Sequence, residues 1–296
     1  MNYTGTIYRP PFEAASLLLQ VTVGCSHNKC SFCYMYPDVP FSVSPLSEVE
    51  ADIDEASRLY PNVERVFLEN GDAFVLSADK LEHIADMIRE KLPKVETISM
   101  YASIQNIRGK SDEDLRRLRQ CGINELNIGT ESGLDEALIK MNKGHTAKES
   151  IHELLRLKDA GMDYGLNIIL GGAGSELIHE NARASAELLN ATQPYLVFIG
   201  TLHTEPGCSL HDDMVSGVFP ECNYGQLLDE QEEMLEALEL DKTFYFGLHP
   251  SNVVPMQGWI PEDKEGLLKT IRKAKKNLKN RLSEYPIRGG EGSILQ

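Results

Sequence analysis

Up to residue 200, six short apolar runs punctuate the chain: SLLLQVTV (16–23), RVFLEN (65–70), TISMYA (97–102), ELNIGT (125–130), YGLNIIL (164–170) and YLVFIG (195–200). Each is bounded by glycine or polar residues, the pattern of strands buried on both faces of a parallel sheet. Between them apolar positions recur at helical spacing, and the helices have readable starts. Ser47 with Glu50, Ser111 with Asp114, Ser132 with Asp135 and Thr146 with Glu149 have the spacing of a capping box, in which a hydroxyl and an acid satisfy the N–H groups that open a helix. Gly122, Gly144 and Gly161 stand where helices should stop. The order is βα repeated six times, which predicts a parallel sheet with right-handed crossovers. Periodicity alone fits an open, partial barrel, (βα)6, or a flat doubly wound sheet.

After residue 200 the alternation breaks. Residues 201–222 read as a long loop, 223–240 as a helix, 243–249 as a short strand and 261–284 as a basic helix. The expected organisation is a core over 1–200 and an extension over 201–296 packed on it as one structural unit, with no linker, repeat or low-complexity tract. In the last helix Leu267, Ile271, Ala274, Leu278 and Leu282 recur at helical spacing, so it reads as an amphipathic helix docked by its apolar stripe rather than as an RNA-binding arm.

The net charge of −16 argues against broad electrostatic capture of nucleic acid. The N-terminus MNYTGTIYRPPFEAAS lacks the basic start and apolar stretch of a signal peptide, and no apolar run is long enough to span a membrane. A cytoplasmic protein is expected, and in a reducing compartment clustered cysteines read as metal ligands or catalytic thiols rather than disulfides.

Three of the six cysteines, Cys25, Cys30 and Cys33, fall in the stretch GCSHNKCSFC directly after the first apolar run. Three thiolates in one loop can wrap a zinc ion or an iron–sulfur cluster. A structural zinc site needs four ligands, and no second C-x2-C is present, although His27 lies in the same loop. A [4Fe–4S] cluster held by three cysteines leaves one iron open to a small molecule. Cys121, before Gly122, reads as buried filler, and Cys208 and Cys222 as thiols outside any cluster.

The cysteine loop resembles the cluster loop of the radical S-adenosylmethionine (SAM) superfamily, with C-x4-C-x2-C in place of the usual C-x3-C-x2-C; the likeness covers roughly residues 16 to 200. It implies a (βα)6 partial TIM barrel with a C-terminal helical extension, a [4Fe–4S] cluster on Cys25, Cys30 and Cys33, and SAM chelated to the fourth iron. Phe32, before the last cysteine, matches a position that helps receive adenine. Asn70-Gly71-Asp72 matches the family's Gly-Gly-Glu turn, which receives the SAM ammonium, although N-G-D is also ordinary turn chemistry. Glu131, in G-T-E-S-G, matches a glutamate near the ribose, and it also has the placing of a helix N-terminal acid. Ile169 and Gly171 match the wall of the adenine pocket. Ser103, after the third strand, is the best polar candidate in its loop.

The resemblance implies an oxygen-sensitive enzyme that cleaves SAM reductively and starts radical chemistry. Its implied partners are an electron donor such as flavodoxin or ferredoxin and a small-molecule or peptide substrate. His203, Cys208 and His249 are the candidates for work on that substrate. Two alternatives stay open: cleavage of a different S–C bond with 3-amino-3-carboxypropyl transfer, and a non-catalytic Fe–S or zinc-binding protein.

Overall fold

The computed structural model describes residues 1–278. The elements are β1 (Leu17–Gln20), β2 (Thr22–Val23), β3 (Ser42–Val43), α1 (Leu46–Leu59), β4 (Arg65–Glu69), α2 (Ala78–Lys91), β5 (Thr97–Ala102), α3 (Ile104–Arg108), α4 (Asp112–Gln120), β6 (Ile123–Glu131), α5 (Asp135–Lys140), α6 (Ala147–Asp159), β7 (Asp163–Leu170), α7 (Ile178–Thr192), β8 (Leu196–Thr201), α8 (Ser209–Ser216), α9 (Tyr224–Ala237), β9 (Thr243–Gly247), β10 (Met256–Ile260) and α10 (Lys264–Leu278). The fold is mixed α/β with a mostly parallel eight-stranded sheet alternating with helices, in the order β1-β4-β5-β6-β7-β8-β9-β10. All six strands expected before residue 201 are present, and the first is split, with β2 leaving the main sheet to pair with β3.

The chain divides into two compact units. The first comprises Met1–Asn28, Tyr36–Ile128 and Glu153–Tyr164. Here β1, β4, β5 and β6 pair in parallel, and side chains alternate between two faces. One face is apolar and buried throughout: Leu17, Leu19, Val66, Leu68, Ile98, Met100, Leu126 and Ile128. Helix α1 packs on β1 and α2, and α2 on α4. Helix α2 shows why these segments fold as they do. Ser77 accepts the Lys80 N–H at 3.4 Å, Leu81, Ile84, Ala85 and Ile88 form its buried stripe, and the helix stops one residue before Pro93. Each of those buried Leu and Ile side chains contributes about 1.5–3 kcal/mol relative to exposure.

The opposite face carries Leu18, Gln20, Arg65, Phe67, Glu69, Ser99, Tyr101, Glu125 and Asn127. Its N-terminal end is closed by charge pairing. Buried Glu13 accepts from Arg65 Nη2 at 2.9 Å and from Ser99 Oγ at 2.8 Å, and the Arg65 fork also grips Glu125 at 3.0 and 2.8 Å.

The second unit comprises Lys29–Met35, Gly129–His152 and Gly165–Gln296. Strands β7, β8 and β9 pair in parallel and β10 is antiparallel to β9. Helix α7 packs on α9, α9 on α10, and α10 on β10. The stretch read as a loop over 201–222 contains α8, whose eight residues carry too weak an apolar stripe to be seen in the sequence. Strand β10 was likewise unmarked; its alternation of buried and exposed residues shows only once β9 lies beside it. The basic helix docks by Leu267 and Ile271, as its spacing predicts, and two of its cations, Arg272 and Lys275, bind Glu232 of α9 at 2.7 and 2.5 Å. Leu282 and the remainder of that expected helix lie outside the described residues.

Of the four expected capping boxes, Ser111–Asp114 and Thr146–Glu149 form. Helix α1 instead starts after Pro45, and α5 after Leu134, without a side-chain cap. Ser132 does not cap α5: its hydroxyl donates to Asn181 of α7 and accepts from the Leu134 N–H at 2.8 Å, before the helix begins.

Candidate functional site

In the first unit the candidate groups gather after β2 and β4. Cys25 is half-buried. The next residue, Ser26, donates its hydroxyl to Asp72. Burial pushes the Asp72 carboxyl above its ordinary range, against bonds from Ser26 and Asn106 and the nearby Lys110 charge. Lys110 is itself buried, which lowers it to about 8, and its Nζ donates to the Phe74 carbonyl at 2.6 Å. Asn70 is engaged at every side-chain atom: Nδ2 donates to the Thr6 carbonyl at 3.1 Å, and Oδ1 accepts from the Tyr36 hydroxyl and from the Gly71 N–H at 3.0 Å. A Cβ on Gly71 would meet the Tyr36 ring at 2.5 Å, so only glycine admits this close approach. Asn70 and Asp72 therefore shape and hold the turn. Ser103 serves as the N-cap of α3, accepting from Asn106 N–H at 3.2 Å while its own N–H donates to Asn106 Oδ1 at 2.8 Å.

In the second unit Glu131 ends β6 with φ 65°, a left-handed backbone uncommon for a non-glycine residue. The residue is 7% exposed, and its Oε1 accepts from Lys143 Nζ at 3.1 Å. A Cβ at position 129 would collide with that same oxygen, which explains the glycine two places before the glutamate. Burial opposes the charge on Lys143, but the Glu131 carboxylate with Cys30 and Cys33 outweighs it and raises the ammonium above its usual range. Lys143 also lies 6.0 Å from the centre of the Phe32 ring. It thus sets a positive charge beside two of the thiols, a role the sequence did not disclose; its signal was only its place, twelve residues after Glu131.

The segment holding Cys30 and Cys33 is tied down on both sides. Ser31 donates its hydroxyl to Lys140 O at 2.6 Å and its N–H to Met141 O at 3.0 Å, and it accepts from Leu210 N–H at 2.9 Å. Buried Cys208 donates its thiol to Phe32 O at 3.5 Å, and burial pushes that thiol up, so it braces the loop as a protonated group. Phe32 and Ile169 pack on Leu202, Leu210 and Phe219. Gly171 donates its N–H at 2.7 Å to Glu230, a buried carboxylate raised to about 7 by burial against its bonds to Asn181 and Gly171.

The two histidines come close. His203 Nε2 pairs with Glu205 at 2.8 Å. His249 Nδ1 receives the Ser251 hydroxyl at 2.7 Å and the Ser251 N–H at 3.2 Å. Two donors on Nδ1 select the neutral tautomer with its proton on Nε2. Burial, then the neighbouring His203, lowers His249 below its ordinary value.

The donor chemistry fits an iron–sulfur cluster. All six cysteines are uncrosslinked, and the three of the loop are half-buried. Among the described residues no three His, Cys, Asp or Glu side chains gather round one ion position.

A mostly parallel βα sheet with its chemistry-bearing residues just beyond the C-terminal strand ends defines an α/β protein of the barrel-like class. The Radical SAM superfamily model matches residues 19–179, more than half of the 296-residue chain, and the chain belongs to that superfamily. Proteins of this family use a [4Fe–4S] cluster and SAM. The heme chaperone HemW of Bacillus subtilis (strain 168) is 26% identical over 158 residues, covering 53% of this chain and 41% of that protein. HemW of Lactococcus lactis subsp. lactis (strain IL1403) is 25% identical over 169 residues, covering 55% and 44%. The chain thus spans less than half the length of these curated relatives. Among solved structures, methylornithine synthase (PylB) aligns with a TM-score of 0.52 at 16% identity, over 93% of this chain and 83% of that one. The radical SAM methyltransferase TsrM from Kitasatospora setae, solved with cobalamin and a [4Fe–4S] cluster, aligns at 0.52 and 15% identity, over 66% and 38%. These likenesses show a shared fold. Among the described residues no helix is long and apolar enough to cross a membrane.

Proposed function

We propose that this chain is a radical SAM enzyme acting on a small-molecule or peptide substrate, with Cys25, Cys30 and Cys33 as the ligands of one [4Fe–4S] cluster and a flavodoxin- or ferredoxin-type donor as its reductant. The carrying observation is Glu131, a buried carboxylate with a left-handed backbone, with Oε1 fixed by Lys143. When bound, the cluster and SAM supply a 5′-deoxyadenosyl radical that removes a hydrogen atom from the substrate. Glu131 Oε2 accepts from the ribose hydroxyls while Lys143 holds the carboxylate in place. Phe32, Ile169 and Gly171 receive adenine, and the turn at Asn70, Gly71 and Asp72 meets the methionine end. His249, with its proton on Nε2, donates to an acceptor on the substrate, and His203 is held by Glu205.

Anaerobic reconstitution with iron and sulfide, followed by SAM and dithionite, tests the reading. 5′-Deoxyadenosine and methionine are the expected products; 5′-methylthioadenosine would instead place the cut at the aminocarboxypropyl bond. Stoichiometric zinc that iron does not replace would overturn the cluster. His249→Gln should still form 5′-deoxyadenosine without substrate and lose the substrate-dependent increase. A second reading, haem carriage, is favoured by the name shared by both curated relatives. A stoichiometric haem spectrum with no SAM cleavage would support it.

A further inference from the structure

The polar face of the first unit's sheet ends in two unmatched groups. Glu69 closes β4 at 0% exposure, and neither carboxylate oxygen has a hydrogen-bond donor. Asn127 of β6, 2% exposed, has no acceptor for its amide Nδ2. Strand register sets both in one row. Leu68 pairs with Met100, which brings Tyr101 beside Glu69, and Tyr101 pairs with Asn127. Two strand spacings separate acceptor from donor by about 10 Å, with the Tyr101 ring between them. That ring stands edge-on to Phe67, with 5.2 Å between centroids.

Folded chains seldom leave a buried carboxylate without a donor, because the cost is that of an unpaired charge. The neighbours of Glu69 do not supply one. The charge of Arg9 reaches it, and Tyr3 and Tyr36 feel its field, but none of them bonds to it. Asp72, three residues on, already accepts from Ser26 and Asn106. Of the two carboxylates, Glu69 is the one with no donor on either oxygen.

We propose that the row Glu69–Tyr101–Asn127 is a substrate subsite that takes a molecule with a protonated amine at Glu69 and a carboxylate or carbonyl oxygen at Asn127. This rests on the radical SAM reading and narrows its substrate to an amine-bearing compound whose two polar ends are several bonds apart. An ammonium supplies the donors that Glu69 lacks, an acceptor satisfies the Asn127 amide, and a short alkyl chain lies over Tyr101.

The test uses the full chain without cluster or SAM, so a failure to cleave SAM removes the enzymatic reading and leaves this measurement intact. Probes are 6-aminohexanoate, hexylammonium and hexanoate, followed by calorimetry and thermal unfolding. Both amines should bind to wild type, and hexanoate should not. Glu69→Gln should weaken both amines at least tenfold. Asn127→Leu should remove only the advantage of 6-aminohexanoate over hexylammonium. Without ligand, Glu69→Gln should raise the melting temperature by about 2–4 °C, since it removes an uncompensated charge. A lower melting temperature in that variant would make Glu69 a structural residue and overturn the proposal, as would unchanged amine binding. In the reconstituted protein, SAM affinity should stay within twofold in Glu69→Gln. A tenfold loss would assign Glu69 to the methionine ammonium of SAM and overturn the substrate assignment.

Discussion

The two ends of one face of the first unit's sheet are built on opposite terms. At the N-terminal ends of the strands, Glu13, Arg65, Ser99 and Glu125 satisfy one another in bonds of 2.8–3.0 Å. At the C-terminal ends, Glu69 and the amide nitrogen of Asn127 are as deeply buried as Glu13 and Ser99, deeper than part-exposed Arg65 and Glu125, and have no partner. The same strand alternation puts Arg65, Ser99 and Glu125 on this face with Glu69 and Asn127. What differs is the presence of partners. A matched end holds the fold together, and an unmatched end costs stability until something outside the chain completes it.

The sharpest division should come from the thiols of the cysteine loop. Replacing Cys25, Cys30 or Cys33 with Ala should abolish the iron–sulfur absorbance after reconstitution while leaving the ligand-free chain folded. Cys121→Ala should keep the full absorbance, because that buried thiol only fills the core beside Leu118. Any single loop variant that retained the cluster would remove that cysteine from the ligand set.

Arg65→Ala should act in the reverse sense. It strands the buried carboxylate of Glu13 and should cost about 2–3 kcal/mol in urea unfolding, below the ~3–5 kcal/mol of a fully buried pair because Arg65 is part-exposed. SAM affinity of the folded fraction should not change. If binding fell in parallel with stability, the two ends would not be independent.

Glu131→Ala should weaken SAM by about ten- to a hundredfold, the loss of a charge-assisted bond worth roughly 1.5–3 kcal/mol, measured by equilibrium binding to the reconstituted protein. Lys143→Met should lose affinity in the same direction, since it frees the carboxylate that Lys143 orients. Unchanged affinity in the Glu131 variant would take that residue out of the ribose site.

The smallest effect is a slope. Burial raises Glu69 from 4.5 to about 7, with the Arg9 charge opposing it. The folded chain therefore holds this proton more tightly than the unfolded chain, so stability falls as pH rises from about 4.5 through about 7 and then levels. Wild type should have a higher urea midpoint at pH 5 than at pH 8, and Glu69→Gln should flatten part of that difference. Glu230, also raised to about 7, keeps its own share of the slope. A slope unchanged by the substitution would show that Glu69 titrates as it does in the unfolded chain.

Much of this molecule was legible in short stretches of chain. The six βα alternations and the boxes at Ser111 and Thr146 depend on residues within a few places of each other, where local geometry decides. Even the motif glycine at 129 has a local cause, the oxygen of Glu131. Ser103 was singled out from its place after a strand, but only the fold showed it capping α3 with Asn106. Lys143 needed the return of its ammonium to Glu131 before it had a role.

The contrast between the two sheet ends could not be read locally at all. Arg65 and Glu69 lie four residues apart, with equal claims to be ionic, and sequence offered only that a charge in a buried parallel strand is unusual. Whether each finds a partner depends on tertiary placement: the turn before β1 brings Glu13 and strand register brings Glu125 to the first, while register leaves Tyr101 beside the second. The sequence by itself determined the order of elements and the chemistry near each strand end, because both arise between chain neighbours. Tertiary structure alone decided which buried charges are answered, because that depends on residues dozens of positions apart being brought side by side.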